Sequence, residues 1–90
     1  MPLTTWLKKT QLKRVERKLR RLRARQRQLR DKADDLKKER SRGLAADEYQ
    51  RREKHMHDER EHVTHEINVL IVAEERLKAE LKAANATPTG

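Results

Sequence analysis

The chain contains no cysteine and no phenylalanine, and only one tryptophan, one tyrosine, two glycines and two prolines in 90 residues. Without cysteine there is no disulfide framework and no thiolate chemistry, which fits the cytoplasm or another reducing compartment better than secretion. So few aromatics, with 33% hydrophobic against 43% charged residues, leave too little apolar bulk for a globular core. No apolar run approaches the roughly 18–20 residues that cross a bilayer, so a transmembrane chain is not expected. There is no glycine-rich loop, no nucleophile beside a base and no HExxH spacing. The sequence therefore predicts no enzyme, no cofactor and no metal site. The scarcity of Gly and Pro leaves long uninterrupted spans, which suit helices joined along a narrow seam.

That seam is present. Leu12, Val15, Leu19, Leu22, Leu29, Ala33 and Leu36 fall at alternating spacings of three and four, with Gln26 filling the one missing position. With Leu12 at heptad position a, the flanking e and g positions are Gln11, Glu16, Lys18, Arg23, Arg25, Arg30, Lys32 and Lys37. Six of these eight are basic, so two parallel copies would set like charges against each other. A break follows at Ser41-Arg42-Gly43, where glycine suits the residue just past a helix. Asp47 and Glu48 then suit the first turn of a second helix. Its seam is Tyr49, Met56, Val63, Leu70, Leu77 and Ala84, with Glu53, Arg60, Ile67, Glu74 and Leu81 at the alternate positions and an acidic flank at Glu59, Glu66 and Glu80.

Folding back at Gly43 pairs residues whose numbers sum to roughly 86, because both helices rise equally per residue. Leu36 then meets Tyr49, Leu29 meets Met56, Leu22 meets Val63, Leu19 meets Ile67 and Val15 meets Leu70. Trp6 and Leu7, outside the strict heptad that would put Thr5 and Lys8 on the seam, fall level with Leu77 and Leu81 and are expected to cover that end of the second helix, and Arg23 and Arg30 reach Glu66 and Glu59. The expected fold is all-α: two long helices in an antiparallel coiled-coil hairpin over residues 6–84, self-associating into a larger bundle. The first helix is expected over about 5–40, capped by Thr4 or Thr5 with Pro2 outside it, and the second over about 45–84. Residues 1–5 form a lead-in and 85–90 a disordered tail. The basic opening, with no acid before Glu16, has a transit-peptide flavour, but it runs into the heptads without a change of composition.

Around the turn, Leu36 through Met56 resembles the short helical hairpins of SHOCT-type domains, through Arg42-Gly43-Leu44, Asp47-Glu48-Tyr49 and Arg52. The stretch covers about a quarter of the chain. It departs from that pattern in having Ala46 at the usual Ser/Thr cap and one residue fewer between Gly43 and Tyr49. SHOCT hairpins are oligomerisation modules attached to larger proteins, so the resemblance implies a structural role.

The net charge of +9 and pI near 10.4 favour anionic partners. Residues 1–43 carry 17 Lys/Arg and 5 Asp/Glu, and residues 44–90 carry 7 and 10, so the excess lies on the first helix. Its outward face holds Lys13, Arg14, Arg17, Arg20, Arg21 and Arg27, with Arg23 and Arg25 at the edge. Arginine forks suit phosphate contacts, and the lack of an aromatic among them argues against base stacking. The expected function is a non-enzymatic binding or scaffolding protein whose basic helix engages an anionic partner, first of all the phosphate backbone of DNA or RNA without base specificity. A second expectation is a small subunit of a homo-oligomer or larger protein assembly. It would dock through the Ile67–Ala73 run, with Ile67, Val69, Leu70, Ile71, Val72 and Leu77 at the interface and Val69, Ile71 and Val72 exposed on the lone hairpin. A third is a peripheral protein held on an anionic membrane surface by Leu3, Trp6 and Leu7 beside Lys8 and Lys9. His55, His57, His62 and His65 form a cluster with one di-iron-like spacing, Glu59-x-x-His62, but cations face it. A pH-responsive interface is the softer reading of that cluster.

Overall fold

The structure, a computed structural model, describes residues 2–86. Helix α1 spans Pro2–Ser41 and helix α2 spans Ala46–Ala86, with no strand among the described residues. Three ion pairs fix their mutual direction: Lys8–Glu80 at 3.7 Å, Arg25–Glu59 at 2.8 Å and Glu39–Arg52 at 3.1 Å. Numbers rise along one helix as they fall along the other, so the helices form an antiparallel hairpin. The result is a rod of 72 × 16 × 14 Å. Its radius of gyration is 20.1 Å, against about 12 Å for a compact chain of this length. It exposes 7412 Å², against roughly 5,500 Å² for a globular chain of this mass. Most side chains therefore remain available to partners.

Both helices run further than the sequence pattern suggests. Thr4 and Thr5 lie inside α1, which already begins at Pro2. Proline is excluded from helix interiors but not from the first turn, where its missing N–H has no intrahelical acceptor to lose. At the other end α2 continues through Asn85 and Ala86, and the remainder of the expected tail, 87–90, lies outside the described residues.

The turn is held by backbone. Gly43 takes φ of +114°. Its N–H donates to the Arg40 carbonyl at 3.2 Å, and the Leu44 N–H donates to the Glu39 carbonyl at 3.0 Å. That pair of bonds is a Schellman closure, which satisfies two of the carbonyls left open at the end of α1. The Arg40 guanidinium adds a bond to the Leu44 carbonyl at 2.8 Å. Helix α2 starts from Ala45, whose carbonyl accepts the Tyr49 N–H at 2.9 Å but whose side chain offers no capping oxygen. The reversal thus depends on Gly43. A methyl group there meets nothing within 4 Å, so the penalty of Gly43→Ala is purely one of backbone conformation. Gly43→Ala is expected to lower the unfolding free energy by about 1–3 kcal/mol, read from urea denaturation. An unchanged midpoint would show that the turn tolerates another backbone path.

The core is a line rather than a ball. Leu19, Leu29, Val63 and Ile67 are buried together, with Val15, Leu22, Leu70 and Ile71 packed against them. Leu36 near the turn and Leu81 near the far end are buried outside that cluster. The grouping agrees with the fold-back register read from the heptads. Ile71 is a correction: expected to be exposed, it packs on the central cluster and leaves Val69 and Val72 facing solvent. With Ile67 buried and Leu70 and Leu77 half-buried in the hairpin, the apolar run is mostly consumed within the chain.

Candidate anion-binding face

Helix α1 turns its a and d positions toward α2, so its b, c and f positions lie on the far side. From Leu3 to Gln28 these positions are Leu3, Trp6, Leu7, Thr10, Lys13, Arg14, Arg17, Arg20, Arg21, Ala24, Arg27 and Gln28. Not one is acidic. The only acid in that span, Glu16, is half-buried at a flanking position. Between residues 17 and 30 there are eight Lys/Arg and no Asp/Glu, over about 21 Å of helix axis.

The predicted cations divide by position. Lys13, Arg14, Arg17, Arg20, Arg21, Arg23 and Arg27 are exposed. Arg25 is half-buried, and its guanidinium donates to Glu59 at 2.8 Å, so its charge is spent on holding the hairpin. Arg14, Arg17, Lys18 and Arg21 line a shallow depression of about 380 Å³ together with Leu22. Four cations around an acid-free concavity repel one another, and a phosphate oxygen placed between them relieves that repulsion.

The acids of α2 do not offset this face. Glu59 takes Arg25 where the sequence register pairs it with Arg30, and Glu66 takes His62 at 2.8 Å where that register pairs it with Arg23. For Glu66 the difference is one of reach: i,i+4 neighbours on a helix meet without crossing the seam. The same local pairing sets His55 against Glu59 and His57 against Glu61, each at 3.0 Å. Among the described residues, no group of three or more His, Asp or Glu converges to hold a metal ion. No helix there is long and apolar enough to cross a membrane.

Two grooves flank Leu36 and Met56 near the turn, of about 580 and 650 Å³. In the first, the cations and acids are equal in number and largely paired. Arg52 bonds Glu48 at 2.8 Å and Glu39 at 3.1 Å, and Arg51 also bonds Glu48. In the second groove the Tyr49 hydroxyl donates to Glu53, which holds the phenol pKa above its usual value, with minor contributions from desolvation and the Glu53 charge. The second groove has more cations than acids, but Asp34 and Glu53 lie among them, whereas the outward positions of α1 from 3 to 28 hold no acid.

No family model, no curated protein and no solved structure matches this chain. The functional reading therefore rests on geometry and charge rather than on a relative.

That geometry also corrects the placement of the opening residues. Trp6 and Leu7 are level with the end of α2 but do not cover it. Leu3 is 69% exposed, Trp6 60% and Leu7 47%. The heptad frame explains why. It continues to Thr5 and Lys8, which are half-buried at a and d, with Lys8 reaching Glu80. Trp6 and Leu7 thus fall at b and c and point away. The signal was in the sequence: the strict heptad already puts Thr5 and Lys8 on the seam, but the axial level of Trp6 and Leu7 beside Leu77 and Leu81 was given more weight than that rotation.

Proposed function

We propose that this chain is a non-enzymatic helical rod that binds a phosphate-bearing polyanion along the back of α1, by charge and without reading bases. The observation that carries this reading is the acid-free stretch of eight cations at 17–30, of which Arg25 is held by Glu59. Bidentate arginines recognise phosphate geometry, and a straight helix presents them to a line or plane of charges rather than to one enclosed ligand. A nucleic-acid backbone is the polyanion that charge alone nominates, and it fits a face with no base-reading groups arranged around it. The SHOCT-like turn agrees with a role in binding or assembly rather than catalysis.

The test is a salt titration. With about four to six phosphates engaged, affinity for a duplex should fall about 100-fold or more as salt rises fourfold, since the logarithm of the binding constant drops by about 0.9 per contact for each tenfold in salt. An affinity that does not respond to salt, or no binding to any polyanion at low salt, would remove the reading.

A further inference from the structure

The back of α1 is not uniform. At the end of the rod opposite the turn it is apolar, with Leu3, Trp6 and Leu7 contiguous at f, b and c positions. Among the described residues, these are three of the five large hydrophobic side chains left exposed. Two turns further on, the same face becomes cationic at Arg14, Arg17 and Arg21. Thr10 between them donates its hydroxyl to the Trp6 carbonyl at 2.9 Å, so its polar atom is already engaged with the backbone. The apolar tip and the cationic stripe lie along one line, within about 27 Å of helix axis.

A nucleic-acid backbone uses the second half of this line and leaves the first half without a role. A phosphate-bearing bilayer uses both. Its anionic headgroups meet the arginines, and its acyl boundary, just below, takes the leucines, with Trp6 at the depth where indole rings settle. Apolar insertion and basic attraction are each too weak alone for firm attachment, and they act together when they share a face. The 69%, 60% and 47% exposure of Leu3, Trp6 and Leu7 means that no rearrangement of the hairpin is needed to present them. We infer that the back of α1 is a membrane-surface site, in which Leu3, Trp6 and Leu7 enter the interface of an anionic bilayer while Arg14, Arg17 and Arg21 hold its headgroup phosphates. This rests on the phosphate-binding reading of the same face and names the surface that the phosphates belong to.

Trp6 is the single tryptophan of the chain, so its fluorescence reports on the tip directly. The full chain is mixed with vesicles of phosphatidylcholine containing phosphatidylserine, and separately with phosphatidylcholine alone. Vesicle flotation and Trp6 emission are recorded, with brominated acyl chains as quenchers. The expected result is co-flotation with the anionic vesicles only, a blue shift of Trp6 emission and quenching by the brominated lipid. In Leu3→Ser/Leu7→Ser, which changes only exposed side chains, the apparent affinity should fall at least tenfold while the helix content by circular dichroism is retained. Co-flotation with unshifted, unquenched Trp6 overturns the inference and leaves the phosphate reading standing. So does salt-sensitive binding to a DNA or RNA duplex with no flotation. Failure to bind either surface overturns both.

Discussion

Truncating Leu29 to alanine is expected to lower the stability of the hairpin by about 3–5 kcal/mol, the upper part of the range for a leucine in a well-packed core. Leu29 is 1% exposed, the most deeply buried side chain described, and it belongs to a cluster with only three other buried members. In a core that is one side chain thick, few neighbours can move in to fill the gap, so most of the lost contact stays lost. A chain of this length has roughly 5–13 kcal/mol in total, by the usual allowance per residue. Leu29→Ala therefore removes a large fraction of it. Because each helix covers the other's apolar stripe, both should melt together in a single transition at lower temperature. Val72→Ala is the matched control: Val72 is 63% exposed on α2, so its truncation should change stability by no more than about 0.5 kcal/mol. Thermal melts followed by far-UV circular dichroism decide the matter. Equal shifts for the two variants would mean that the core is not where these contacts place it.

The second large effect concerns binding. Reversing charge in Arg14→Glu/Arg17→Glu/Arg21→Glu is expected to weaken attachment to anionic vesicles or to a duplex by about 100-fold or more. This follows from about 1 kcal/mol for each basic side chain near a charged surface. On a duplex the salt dependence should also flatten by about three units of slope, one for each phosphate contact removed. Folding should not suffer. All three arginines are exposed on the face away from α2, and removing like charges relaxes self-repulsion along α1. The decisive comparison is a second triple variant, Lys54→Glu/Arg76→Glu/Lys82→Glu. It makes the same change in net charge at exposed positions of α2. If the two variants lose affinity equally, net charge rather than a face governs binding, and the back of α1 has no special standing. If only the α1 variant does, the site is local.

Much of this arrangement was legible beforehand, and particular residues show why the rest was not. The seam residues Leu19, Leu29, Leu36, Val63 and Ile67 are buried as the heptad spacing requires, because periodicity sets which side of a helix is apolar. Gly43 is the turn, because only glycine accepts its φ readily. Pro2 was misplaced because a rule for helix interiors was applied to a first turn. Arg25 rather than Arg30 found Glu59 because long charged side chains choose among several acids within reach, and their energies differ by less than about 1 kcal/mol. Spacing cannot rank such choices.

The same division holds for the stretch that matters most for function. The amino-acid sequence by itself determined that there are two helices, that they fold back at Gly43, and that charge accumulates on the first of them. Those features follow from periodicity, backbone freedom and composition, which are local. The tertiary structure alone decided which side chains the hairpin consumes and which it leaves outside. It drew Ile71 onto the core and left Val69 and Val72 in solvent. It kept the heptad frame running to Thr5 and Lys8 against the pull of Trp6 and Leu7 toward the end of α2, so that Leu3, Trp6 and Leu7 share the outer face with Arg14, Arg17 and Arg21. The physical reason is rotation. Counting residues fixes the register along the axis and periodicity fixes the seam, but side chains at the margins of the seam, such as Trp6, Leu7 and Ile71, are turned in or out only when the partner helix sets the rotation.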